Sequence, residues 1–225
     1  MDGPLILAVD TAGPVAGLAL LHGDRLEGSW CARVVRGAEA RLVPAVRELL
    51  RGRRPDAVAV ADGPGGFTGL RVGVATALGL AVPWDCPLVP VSSLVVRAAL
   101  VPGEPRVLAL LDARKGRFYG GLFDTRPPIP SPLCEARDLE VEQLLLGEPC
   151  VAVGEGAAVA RMQVLAAGHR PAVQPDANPA PALARLGALL VADDRCVSAH
   201  ALSIRYLRQP DAVPPTDLAP VVPGT

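Results

Sequence analysis

An apolar run, Asp56-Ala57-Val58-Ala59-Val60-Ala61-Asp62, passes directly into Gly63-Pro64-Gly65-Gly66, and a second apolar segment opens at Phe67. This strand–turn–helix joint limits the possible folds more than any other feature of the chain. Glycine tolerates positive φ and carries no side chain, so backbone can approach another group closely here. A phosphate cradle at a helix N-terminus is the first candidate, but the spacing does not fit it. A P-loop ends in Gly-Lys-Ser/Thr, and no lysine is near. A dinucleotide fingerprint needs a third glycine three residues after Gly65, where Thr68 stands.

The segment after the turn reads as a helix over 67–82, with Arg71 as its only charge. Leu70, Val72, Val74, Leu78 and Leu80 point all round the cylinder, and a helix apolar on every side is covered on every side. It is too short and too interrupted to span a bilayer. Gly69, Gly73 and Ala77 fall four apart and form one smooth stripe. Such a stripe lets another helix come close. Two readings stand: a helix buried in its own domain, or one that docks a second subunit.

The length of 225 residues, half of them hydrophobic, suffices for one good core or two small domains. Basic residues number 22 and acidic residues 23, without the basic excess of a nucleic-acid-binding domain. Direct, tight nucleic-acid binding by this chain alone is not expected. Cys31, Cys86, Cys134, Cys150 and Cys196 are scattered singly, with no CxxC pair. They read as small buried hydrophobes in a reduced cytosol. No basic-then-apolar leader precedes Asp10, so the expectation is a soluble, cytoplasmic protein with no membrane contact.

At the glycine joint the chain resembles a known family. Gly63-Pro64-Gly65-Gly66-Phe67-Thr68-Gly69-Leu70-Arg71-Val72-Gly73 is similar to the GPGSFTGLRIG signature of the TsaB/YeaZ family, the non-catalytic partner in bacterial threonylcarbamoyladenosine modification of tRNA. Other segments resemble the family in the same order. They are Ile6-Leu7-Ala8-Val9-Asp10-Thr11, Arg41-Leu42-Val43-Pro44, Val91-Ser92-Ser93-Leu94, the stretch from Asp112 and Arg114 to Tyr119, and Tyr206-Leu207-Arg208. The chain departs from the pattern at Ala38, where the family usually has histidine, and at Gly66, where it has serine.

Strands are expected at 4–10, 15–22, 25–35, 56–62 and 87–91, with helices at 38–51, 67–82 and 92–101. This βββαβαβα order looks like one half of the actin/Hsp70/sugar-kinase superfold. A reduced second half follows: strands 106–112, 117–124 and 149–154, and helices 138–146, 156–167 and 181–191. The expected division is 1–103, an actin-like subdomain with the partner-binding helices; 104–208, a reduced α/β subdomain; and 209–225, a proline-rich mobile tail.

Asp10-Thr11 stands where such a fold places its first phosphate loop, and Gly154-Glu155-Gly156 echoes a second. After Thr11, however, come Ala12-Gly13-Pro14, and proline removes a donor. These read as degenerate nucleotide loops, with Asp10 as a turn cap. Asp112, Arg114 and Arg117 read as a charge-paired hairpin. His22, His169 and His200 are isolated and form no metal-ligand pattern. No catalytic residue, metal or cofactor is expected.

The resemblance implies that helices 38–51 and 67–82 bury their faces against a TsaD-type catalytic subunit, through Leu42, Val46, Leu49, Phe67, Gly69, Leu70, Gly73, Val74 and Ala77. It also implies a TsaE-type ATPase in the complex, a homodimer when the chain is alone, and tRNA met only through the complex. The alternatives are an ATP-dependent kinase or hydrolase of the same superfold, or a peptidase.

Overall fold

The computed structural model describes residues 3–33, 39–172 and 177–208. Ala38 and the 209–225 segment lie outside them. Two mixed sheets are present, joined through a helix between them. The first has the order β3-β2-β1-β4-β5, built from β1 (Leu5–Asp10), β2 (Val15–His22), β3 (Arg25–Arg33), β4 (Ala57–Gly63) and β5 (Leu88–Ser92). The first three strands are antiparallel neighbours joined by tight turns, while β1, β4 and β5 run parallel. A parallel pair requires a crossover. These are supplied by α1 (Glu39–Leu50), before β4, and α2 (Phe67–Trp84), between β4 and β5.

All six residues of β1 are buried, as a central strand covered on both faces demands. Ile6 and Ala8 face one core together with Ala57 and Ala59. Leu5, Leu7 and Val9 face the other with Val58 and Val60, beneath α1 and α2.

The second sheet repeats the layout in reduced form. β6 (Val107–Arg114) is antiparallel to β7 (Arg117–Asp124) and parallel to β10 (Val151–Val153), which is parallel to β11 (Arg170–Ala172). Two short strands, β8 (Ser131–Pro132) and β9 (Arg137–Glu140), pair with β7. α3 (Ser93–Ala98) lies between the sheets, with Val96 in the first core and Leu94 and Ala98 in that of the second sheet. α5 (Glu155–Val159) and α6 (Arg161–Ala166) cover the far face of the second sheet. α7 (Ala180–Ala192) returns to the first sheet, where Leu183, Ala184 and Leu186 join its core. A Cβ at Gly187 would press on the Ala59 methyl, so this glycine allows α7 its close approach.

Two expected helices take another form. The 138–146 segment begins as β9, because Arg117 Nε donates to Asp138 Oδ1 at 2.8 Å and Leu139 registers opposite Phe118. Only α4 (Val141–Leu144) is helical, capped by Glu140 and Gln143. The 156–167 helix breaks at Ala160, whose ψ of 22° ends α5 and redirects the chain so that Val164 is buried. β11 was not expected. It has three residues, one of them Pro171, and proline suits an edge strand.

Candidate functional site

The glycine joint is built for close approach to the turn after β1. Gly66 N donates to the Ala12 carbonyl at 2.9 Å, and Thr11 Oγ1 donates to the Gly69 carbonyl at 2.6 Å. A Cβ at Gly69 would overlap the Thr11 carbonyl oxygen, and one at Gly73 would overlap Thr11 Oγ1. Gly63, at φ 122°, lies against the carbonyl of Arg205.

The Gly69–Gly73–Ala77 stripe therefore faces this chain's own first sheet. Leu70, Val74 and Ala77 are buried there, as are Leu42 and Val46 on α1. The expected docking contact through these residues is corrected: the chain itself covers them. Leu49 and Phe67 are half-buried.

The opposite side of α2 remains open. Arg71, Ala75, Gly79 and Val82 are exposed along it, with Val72 and Leu78 half-buried. On α1 the open residues are Arg41, Val43, Pro44, Arg47 and Glu48. Val82 is 63% and Val43 51% exposed, one on each of these two helices. A groove runs beside α1, floored by Trp30, Leu80 and Trp84, with the Arg41 guanidinium 5.8 Å above the Trp30 ring. With 18 residues, α2 runs past the expected end at 82. It is the one helix among the described residues long and apolar enough to cross a membrane, and it packs along β4.

The remaining motif residues converge on a cleft between the two sheets, about 720 Å³ in volume. Gly65 lines it from the glycine turn and Thr68 from the start of α2, Asp112, Arg114 and Tyr119 from the β6–β7 hairpin, and Tyr206 and Arg208 from the last described segment. Arg71 joins these parts at the rim: its guanidinium lies 3.7 Å from the Phe67 ring centre, and Nε donates to the Tyr206 hydroxyl at 3.2 Å. Phe67 and Tyr206 lie 5.4 Å apart, centre to centre. Arg208 Nη2 donates to the Ala113 carbonyl. Pro64 is buried beneath, preceded by a cis peptide bond from Gly63. The Asp112 carboxylate accepts the Arg114 N–H at 2.8 Å, closing a turn, and Arg117 pairs with Asp138 rather than within the hairpin.

At the floor of this cleft the two loops expected to be degenerate nucleotide loops meet. Asp10 Oδ1 accepts the Ala12 N–H at 3.0 Å, so Asp10 does cap a turn. Asp10 Oδ2 accepts from Arg97 Nη1, and Arg97 also donates to Glu155, between Gly154 and Gly156. Burial on its own would lower the Arg97 pKa, but Asp10 and Glu155 together raise it above the ordinary arginine value. About 50 Å³ of space remains at the junction. Sequence reasoning missed Arg97. The available signal was a lone charge in the apolar run Leu94-Val95-Val96-Arg97-Ala98.

Among the described residues one cysteine–histidine contact is found. His169 Nε2 lies 2.8 Å from the Leu145 carbonyl, and its Nδ1 accepts the Cys150 N–H and lies 3.3 Å from Cys150 Sγ. Nδ1 as acceptor leaves the proton on Nε2 for that carbonyl. Both residues are buried, and burial pushes the Cys150 thiol up, so the pair ties α4 to β10 without supplying a thiolate. Cys31 and Cys134 are exposed, which corrects the expectation of uniformly buried thiols; Cys31 lies on edge strand β3. Among the described residues, no three His, Cys, Asp or Glu side chains converge.

A family model described as TsaD, tRNA N6-adenosine threonylcarbamoyltransferase, matches residues 35–126. The chain is 36% identical over 124 residues to the tRNA threonylcarbamoyladenosine biosynthesis protein TsaB of Bacillus subtilis, covering 52% of this chain and 54% of that protein. The TsaB protein of Escherichia coli is 35% identical over 124 residues, covering 51% and 52%. The chain thus spans about half the length of the curated relatives it matches. The solved structure of YeaZ from Pseudomonas aeruginosa superposes with a TM-score of 0.76 at 27% identity, over 91% of this chain and 100% of that one. With the glycine joint, the paired sheets and the ordered motifs, these matches place the chain in the TsaB/YeaZ family, with an α/β fold.

Proposed function

We propose that the chain is the non-catalytic subunit that pairs with a TsaD-type catalytic subunit, which transfers a threonylcarbamoyl group to the adenosine 3′ of the anticodon in tRNA. The observation that carries this reading is the match to proteins named for threonylcarbamoyladenosine biosynthesis. The open sides of α1 and α2 are the docking surface, with apolar Val43, Pro44, Val72, Ala75 and Val82 among charged Arg41, Arg47, Glu48 and Arg71. Two helices of this length can supply the roughly 800 Å² per partner of a standard interface. The same surface pairs two copies when the chain is alone. A TsaE-type ATPase completes the assembly in the cytoplasm, and tRNA is met through the complex.

A scaffold role fits the chemistry of the chain. The buried cysteine–histidine pair holds its thiol protonated, and Asp10 and Glu155 are both engaged by Arg97. The kinase and peptidase alternatives have no comparable support.

Reconstitution tests the proposal. Purified chain, catalytic subunit, ATPase, unmodified tRNA, threonine, bicarbonate and ATP, with the enzyme that makes threonylcarbamoyl-adenylate, are combined and each protein is omitted in turn. Modification is expected to collapse when this chain is left out. Full modification without it, or modification by this chain alone, would overturn the reading.

A further inference from the structure

Arg97 stands on the helix between the sheets and reaches both. Nη1 lies 2.5 Å from Asp10 Oδ2, at the end of the first sheet's central strand. Nη2 and Nε lie 3.1 and 3.3 Å from the two oxygens of Glu155, which opens α5 after the second sheet's β10. The side chains of Arg97 and Asp10 are 3% and 0% exposed, and Glu155 is 14% exposed. A two-pronged guanidinium–carboxylate contact fixes orientation as well as distance.

The backbone closes on this cluster from both sides. A Cβ at Gly13 would overlap the Glu155 carboxylate, and one at Gly154 would lie 3.1 Å from Arg97 Cγ. The space left at the junction, about 50 Å³, is suited to a water or two. Glu155 also forms part of the wall of the larger cleft lined by Tyr119, Tyr206 and Arg208.

We infer that Arg97 is a built-in clasp, a permanent internal cation that fastens the turn after β1 to the turn after β10 and so sets the width of the cleft between the sheets. Two carboxylates, one ending β1 and one opening α5, engage the same guanidinium, and α3 supplies the positive charge they share. Closure therefore depends on no ligand. This inference is independent of the proposed tRNA-modification role, because it concerns the isolated chain.

Glu155 is the place to cut. Removing it leaves Arg97 paired with Asp10, whereas removing Arg97 would strand a buried carboxylate. Amide hydrogen exchange is followed by mass spectrometry in wild type, Glu155→Ala and Glu155→Gln. Val46→Ala, a core variant remote from the junction, reports general destabilisation at a matched fall in Tm.

With Glu155→Ala, exchange at 11–14 and 154–160 is expected to rise at least tenfold beyond that of Val46→Ala, while the central strands of both sheets stay protected. Glu155→Gln, which keeps an acceptor for Arg97, should fall between. Equal exchange in Glu155→Ala and Val46→Ala overturns the clasp. So does failure of both Glu155 variants to fold, because a clasp predicts two sheets that survive its release.

Discussion

The Thr11 hydroxyl donates to the Gly69 carbonyl, and the same oxygen fills the space that a side chain at Gly73 would need. Gly73 stands four positions after Gly69, so Thr11 sits against two successive turns of α2. The glycine joint thus serves the internal seam between α2 and the end of β1.

Gly73→Leu is accordingly expected to damage the fold rather than the association. Overpacking of this sort costs about 1–3 kcal/mol. For a chain of this size each kcal/mol lowers Tm by about 2–4 °C. Thermal melts beside sedimentation velocity separate the effects: Tm should fall, while the folded fraction pairs as before. An unchanged Tm with weakened pairing would contradict the seam.

On the open side the expectation reverses. Val43→Asp and Val82→Asp place a charge on an exposed apolar surface and touch no core. Stability should change by less than about 0.5 kcal/mol. Affinity for the catalytic partner should fall at least tenfold, about 1.4 kcal/mol. Normal pairing by both variants, measured by sedimentation, would remove α1 and α2 from the interface.

The contrast between the two sides of α2 explains what the sequence could and could not disclose. β1, β2 and α7 are legible because their burial follows composition: Leu5 to Val9 is apolar throughout and buried throughout. α2 is apolar on every side, so no asymmetry marks its inner face, and a stripe of small residues fits a seam with Thr11 as well as with a foreign helix. β9 was hidden for another reason. Arg137 to Leu144 has good helix formers, and only the long-range pairing of Asp138 with Arg117 draws its first half into a sheet. The motif segments could be found one by one. Their meeting in one cleft depends on chain reversals that no local pattern encodes.

The cysteines should separate by exposure and acidity. Cys31 and Cys134 are exposed, whereas Cys86 and Cys150 are buried. Burial pushes the Cys86 thiol up to about 11 and also raises Cys150. The thiolate is the reactive form. Iodoacetamide at pH 8 is expected to label Cys31 and Cys134 first and to leave Cys86 and Cys150 unmodified until urea is added. Peptide mapping reads the order, and early labelling of Cys150 would contradict its burial against His169.

Asp62 gives a pH dependence of unusual sign. It lies at the end of β4, with a side chain 5% exposed. Oδ2 accepts from Arg205 Nη2 at 3.2 Å, while Oδ1 has no hydrogen-bond partner. Burial raises its pKa to about 6, against the opposing pull of Arg205. An unfolded aspartate titrates near ~3.9. Between roughly pH 4 and pH 6 the folded chain therefore holds more protons at this site than the unfolded chain does. Linkage then requires that stability fall as pH rises through that window, with the cost fully present above pH 6. Asp62→Asn removes the titrating group and keeps the shape. It should be more stable than wild type at pH 7.5, by roughly 1–3 kcal/mol, and the advantage should vanish toward pH 4. Urea unfolding of both proteins at half-unit steps from pH 4 to 7.5 isolates the difference, since other carboxylates titrate equally in each. Arg205, with a side chain 54% exposed, can turn to water when its partner is neutralised. An Asp62→Asn protein clearly weaker than wild type at pH 7.5 would mean that the ion pair outweighs the burial cost.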